Sequence, residues 1–246
     1  FGKHNTPLTM LVHANDPFAH IAGDALSILG HAGHHYESSF DPDHGTMFYV
    51  RAPNSILYLS PEAGGFSANV ALIAIDESTA DGARIPGTSL SLNFKAGDFN
   101  IAYAFERHNE LDLKTSHDPL VEPEVLDQTQ AHVLSAMVHF PSTMMNFTVE
   151  RLEVKDDVDG SHARLAYHLS VQQMFGPHSL RAAYAHAGDF GDHASGAGDG
   201  GQMLAVGWFQ TLSSNTQAYV VVAQTQNETR GDFGTFFVHD VSRGAD

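Results

Sequence analysis

From about residue 66 onward the chain alternates apolar and polar side chains with a period of two, as strands do when their two faces meet different surroundings. Residues 66–74 place Phe66, Ala68, Val70, Leu72 and Ala74 on one face, while the other begins with Ser67 and Asn69. Residues 88–95 set Leu90, Leu92 and Phe94 against Ser89, Ser91, Asn93 and Lys95. After Ala96-Gly97-Asp98, residues 99–106 set Phe99, Ile101, Tyr103 and Phe105 against Asn100, Ala102, Ala104 and Glu106, which predicts a hairpin. The same pattern opposes Leu134, Ala136, Val138 and Phe140 to Ser135 and His139, and Met145, Phe147 and Val149 to Asn146, Thr148 and Glu150. It then opposes Leu165, Tyr167 and Leu169 to Arg164, His168 and Ser170, and Leu180, Ala182 and Tyr184 to Arg181. Segments 202–210 and 216–225 are strand-like with ambiguous facing. The pattern predicts about ten strands, each near the ~9–11 residues of a tilted bilayer-crossing strand.

Connection lengths alternate as well. Short turns at 61–65, 96–98, 141–144, 174–178 and 211–216 interleave with long polar connections at 76–87, 108–130, 155–161, 187–201 and 226–246. A meander of hairpins closed into a barrel puts the short turns on one rim and the long loops on the other, so the expected architecture is an all-β, up-and-down antiparallel barrel. Alternation alone suits a soluble β-protein with one solvated face too. The polar face decides: Lys95, Glu106, His139, Arg164, His168 and Arg181 would share it, and charges enclosed in a dry interior without partners cost several kcal/mol each. A water-filled lumen lined by these residues avoids that cost, with the apolar face turned to lipid and aromatic rings near strand ends forming interfacial girdles.

Composition narrows the partners. With 29 acidic and 12 basic side chains the formal charge is −17, which excludes a phosphate-neutralising nucleic-acid surface. Absence of cysteine excludes thiol catalysis and cysteine zinc sites. The longest apolar run, Val70 to Ile75, falls far short of the ~18–20 residues of a membrane-spanning helix. The chain begins at Phe1 without a leader, which reads as a processed or truncated product.

Enzyme signatures are missing: no G-x-S-x-G, H-E-x-x-H, Walker or dinucleotide fingerprint occurs, and no cofactor is called for. Residues 194–201 are glycine-rich but read as an outer loop. Asp156, Asp157 and Asp159 lack the terminal glutamate of a calcium loop, leaving a solvated turn or a divalent bridge to lipopolysaccharide. His31, His34 and His35, near His20, His44, Asp41 and Asp43, have short-range spacing suited to a transition metal. The plainer reading makes them polar lumen residues, like the other histidines among the 17. Their protonation between about pH 5 and 7 would add positive charge to the lumen.

The opening Phe1-Gly2-Lys3-His4-Asn5-Thr6-Pro7, the segment Arg51…Asn54-Ser55-Ile56, Tyr58, Ser60-Pro61 and Gly65-Phe66-Ser67, and the later run from Phe175 to His186 resemble the general Gram-negative porin family, in its beta-proteobacterial trimeric, sixteen-stranded form. Asp16-Pro17-Phe18, Asp24 and the run to Gly45 look like that family's loop folded into the barrel. The resemblance implies a single barrel domain over 1–246, a constriction loop within 12–49, an outer-membrane homotrimer passing ions and small hydrophilic solutes, and strands missing at both ends. Asp16 and Asp24 are expected to supply negative charge at the constriction, opposed by Arg51, and the acidic excess predicts weak cation selectivity. The competing reading from another class is an outer-membrane barrel serving as a structural sleeve or partner subunit of a surface complex.

Overall fold

The alternating segments form strands because each buries small or polar residues on one side and leaves large apolar ones on the other. A computed structural model describes residues 2–30, 37–38, 48–49, 51–75, 85–114, 124–156, 160–190, 198–229, 231 and 233–234. The strands are β1 (Gly2–Asn5), β2 (Glu37–Ser38), β3 (Arg51–Leu59), β4 (Phe66–Ile75), β5 (Ile85–Ala96), β6 (Phe99–Lys114), β7 (Glu124–His139), β8 (Thr143–Asp156), β9 (Gly160–Phe175), β10 (His178–Ala187), β11 (Gly201–Ser213) and β12 (Thr216–Asn227). They make one antiparallel sheet of 12 strands in the order β1-β3-β4 and onward to β12, each next to its sequence neighbour, with β2 beside β6. Among the described residues β1 and β12 form the two ends of the sheet. The one α-helix among them, α1 (Pro7–Ala14), and every other helical turn are too short to cross a membrane.

The strand count exceeds the expected ten for physical reasons. β1 and β2 are too short to show alternation, and β3 carries Pro53 and a left-handed Asn54 (φ 49°) that interrupt it. β6 and β7 also run beyond the predicted limits, to Lys114 and back to Glu124. Their outer portions contain runs that are polar at every position, 106–110 and 127–130, so periodicity fades before the ladder does. Short connections sit where expected: Gly97-Asp98 joins β5 to β6, with Gly97 at φ 57°, a conformation open to glycine without a Cβ clash.

Side-chain facing settles which surface is greasy. Along β9, Leu165, Tyr167 and Leu169 are exposed, while His162, Arg164, Ala166, His168 and Ser170 between them are buried. Register carries this across the sheet. Phe147, Leu169, Tyr184 and Leu204 stand in one lateral row on the bare face, and Thr148, His168, Ala185 and Met203 in the adjacent row on the covered face. Leu72, Leu92, Leu165, Leu180 and Val206 are all more than half or nearly half exposed. A contiguous apolar surface of this extent is unfavourable in water and requires a hydrocarbon surrounding. Phe66, Phe99, Phe140 and Phe175 lie at strand ends beside the short turns, where a girdle belongs.

Replacing Leu169, central on that face, with arginine is expected to cost about 2–4 kcal/mol of folding stability in lipid vesicles, measured by urea titration. Leu169→Met, which conserves volume and polarity, should cost less than about 1.5 kcal/mol.

Candidate functional site

The covered face is occupied by residues 6–30. Thr6 caps α1, its Oγ1 accepting the Thr9 N–H at 3.3 Å, and Pro7 takes the first helical position, where a missing N–H costs nothing. Leu8, Leu11 and Val12 turn inward onto Ala102, Ala104, Ala131 and Val133, residues small enough to let the helix approach the strands. The Leu8 N–H donates to Ser89 Oγ at 3.2 Å. At the end of the helix Asn15 donates from Nδ2 to Ser135 Oγ at 2.9 Å, while Asn146 Nδ2 donates to the Asn15 carbonyl at 2.5 Å. Three wall residues, Ser135, Asn146 and Thr148, are bonded to one another beneath it.

Two carboxylates shape the next turns. Asp16 accepts the Phe18 N–H on Oδ1 (2.9 Å) and the Ala25 N–H on Oδ2 (2.7 Å). Asp24 accepts the Leu26 N–H on Oδ1 (2.9 Å) and the His20 N–H on Oδ2 (2.5 Å). Both are buried, and loss of hydration pushes each up to about 6 from a usual 3.8; at Asp24 the neighbouring Asp16 adds to the push. The backbone donors, and Arg181 beside Asp16, pull the other way. Arg181 donates to the Pro17 carbonyl at 2.5 Å with its guanidinium 3.7 Å above the Phe209 ring, and His168 Nε2 lies 3.8 Å from Asp16 Oδ1. Phe18 is fully enclosed by Ala183, Ala205 and Phe209. Gly23 permits that seating: a Cβ there would stand 2.5 Å from Ala205 Cβ, on backbone at φ 91°.

A third anchor is Glu150 on β8. Its Oε1 accepts the Gly30 N–H at 2.8 Å and its Oε2 the Tyr49 hydroxyl at 2.5 Å, so one carboxylate clamps both ends of the stretch between those residues. Burial, with Glu150 alongside, raises the Tyr49 phenol well above its ordinary range. Glu106 bonds His108 at 3.0 Å, and Phe48 stacks on that imidazole. Arg164 is buried, its guanidinium facing the rings of Phe190 at 4.7 Å and Phe233 at 5.3 Å.

The residues singled out by sequence thus fall into three groups. Asp16 and Asp24 of the segment meet His168 and Arg181 of the wall beneath it; Glu106 and Arg164 lie buried farther along the same face. Lys95 and His139 share a polar recess of about 170 Å³ with Glu62, Asp98 and Asn100 beside the short turns. Arg51 stands apart on β3, exposed, donating to the Lys3 carbonyl at 2.9 Å, with no bond to either aspartate among the described residues. His31, His34 and His35, with His44, Asp41 and Asp43, lie outside the described residues, as do Asp157, Asp159 and the stretch 194–197. Asn15, His13 and the clamp role of Glu150 carry no distinguishing sequence pattern.

Comparison with known proteins agrees with this architecture. The family described as Gram-negative porin matches residues 1–230. Among solved structures, the anion-selective porin from Comamonas acidovorans superposes with a TM-score of 0.72 at 18% identity, over 92% of this chain and 63% of that one. OmpT of Vibrio cholerae, solved as a trimer, gives 0.68 at 13% identity over 92% of this chain and 65% of its own. Salmonella typhi OmpF, in complex with daunomycin, gives 0.55 at 11% identity over 92% and 73%. No curated protein sequence matches the chain. The chain therefore spans about two thirds of the length of the porins it resembles in fold. A sheet greasy on its bare face and polar on its covered one, together with the family match over nearly the whole chain, makes this an outer-membrane protein belonging to the Gram-negative porin family.

Proposed function

We propose that the whole protein is a water-filled channel for passive diffusion of ions and small hydrophilic solutes, with the segment within 12–49 narrowing the bore. The observation that carries this reading is the position of residues 6–30, held by side-chain bonds to β5, β7, β8 and β10 on the face turned away from lipid. Asp16 and Asp24 act by fixing the segment's turns and by contributing negative charge once ionised. Arg181, half-buried beside Asp16, supplies the opposing positive charge on the wall; Arg51, Lys95 and His139 line the remaining path, while the buried Glu106, Arg164 and His168 act through the field they set beneath the segment. Selectivity leans weakly to cations, in keeping with a formal charge of −17. The Comamonas porin of like fold is anion-selective, so the cation reading rests on this chain's own acidic excess and not on the fold. Assembly as a homotrimer, as in the Vibrio trimer, with lipid and lipopolysaccharide around it, completes the proposal.

The intact protein in planar bilayers should give discrete conductance steps, with a reversal potential in a potassium chloride gradient that favours potassium. A clear chloride preference defeats the selectivity claim, and absence of current defeats the channel. Asp16→Ala leaves two buried N–H groups without an acceptor, at about 1–3 kcal/mol each, and should loosen the segment and raise single-channel conductance.

The carboxylates also set a pH dependence. Their protonated forms suit the buried site, so docking of the segment is firmest below pH 3.8 and weakens as pH rises towards 6, where the contribution is spent. Amide exchange at Phe18, Ala25 and Leu26, corrected for intrinsic rates, should be slower at pH 5 than at pH 7, and Asp24→Asn should flatten the difference.

A further inference from the structure

The end of α1 and the turn that follows bring together three potential ligands unrelated to the histidine run in 31–35. His13 lies in the last turn of α1, His20 seven residues on, and Asp24 at the start of the short helical turn Ala25–Ser27. The ligand atoms of all three lie within 4.8 Å of one another. His13 Nε2 is 3.9 Å from Asp24 Oδ2, and the two imidazole rings meet at 4.1 Å between centroids with their planes 60° apart. Contact between rings accounts for the packing but leaves the polar atoms unexplained: Nδ1 and Nε2 of His13 are both buried without a hydrogen-bond partner among the described residues. His20 is held at φ 67°, a left-handed conformation costing a non-glycine residue about 1–3 kcal/mol, and its own N–H is tied to Asp24 Oδ2. That tie engages one lone pair of the oxygen and leaves the other available as an acceptor.

We infer that His13, His20 and Asp24 form a binding site for a divalent transition-metal cation of the zinc class. Two imidazole nitrogens and one carboxylate oxygen match the donor set that zinc, nickel and copper prefer, whereas calcium and magnesium require oxygen throughout. Tetrahedral bonds of about 2.0–2.1 Å place ligand atoms about 3.3 Å apart, so small side-chain rotations close the present spacing around an ion. His20 is exposed, which gives the ion access from water and leaves the remaining coordination position to water or a passing anion. Asp16, whose oxygens are engaged by Phe18 and Ala25, remains outside the coordination shell and keeps the turn in place. A bound cation would cross-link α1 to the 17–24 turn and add two positive charges beside Asp24. The effect on ion current rests on the channel reading above, but binding itself does not.

Isothermal titration of zinc into the intact, metal-stripped protein in detergent tests the site. The wild type should show one tight site, and His20→Ala should weaken it by at least about tenfold, the lower end of what losing even an outer partner of a metal site costs. A triple variant, His31→Ala, His34→Ala and His35→Ala, should retain the site. Cobalt substitution provides a structural readout: a visible d–d absorption band should appear in the wild type and the triple variant and be lost in His20→Ala. A wild type that takes up no zinc overturns the inference, as does a tight site that survives His20→Ala. In bilayers zinc should lower the conductance of the wild type more than that of His20→Ala; a protein passing no current at all counts against the channel, while calorimetry still decides the site.

Discussion

Hydrocarbon offers no hydrogen bonds, so every backbone amide and carbonyl that meets it must find a partner in the neighbouring strand. Between each pair of neighbours from β3 to β12 the antiparallel ladder meets that demand. Once the ladder is fixed, side-chain direction follows from the pleat, and each residue must suit lipid or the opposite face. A slip of one residue between β8 and β9 would set Thr148 opposite Leu169, so that one of the two strands would have to turn its polar row out to the acyl chains and its apolar row in. The polar and small residues of this chain are therefore confined to one side by the backbone's own requirement for partners, and the covering segment rests on that confinement.

Covering the polar face is costly in charge. Asp16, Asp24, Glu106, Glu150 and Arg164 are all buried. The chain offsets the loss of hydration by supplying backbone N–H groups at each aspartate, a tyrosine hydroxyl and a glycine N–H at Glu150, and aromatic rings at Arg164. These are local devices, each built from a turn or a ring placed against one ion. They also make the segment a set of small anchored pieces.

The sheet was largely legible in the sequence, since alternation reports directly on the two surroundings of a strand: Leu165, Tyr167 and Leu169 against Arg164, His168 and Ser170 needed no further information. Legibility failed where surroundings stop differing. Residues 106–110 of β6 and 127–130 of β7 are polar at every position, so alternation has nothing to report there, and β3 is interrupted at Pro53 and Asn54. Within the covering segment the sequence singled out Asp16 and Asp24 as acidic. Their burial depends on turns that bring residues 18, 20, 25 and 26 back to them, and no spacing rule encodes such returns. His13 and His20 meet for the same reason, through a left-handed backbone step that residue type alone does not announce.

The strands β6, β7 and β9 are each 16 residues long. At about 3.3 Å per residue and a tilt near 45°, such a strand rises about 37 Å, against an apolar band of about 25 Å. This part of the wall accordingly overtops the lipid by roughly 12 Å, a parapet above the headgroups. Strand residues above the hydrocarbon band are released from the demand for an apolar outer face.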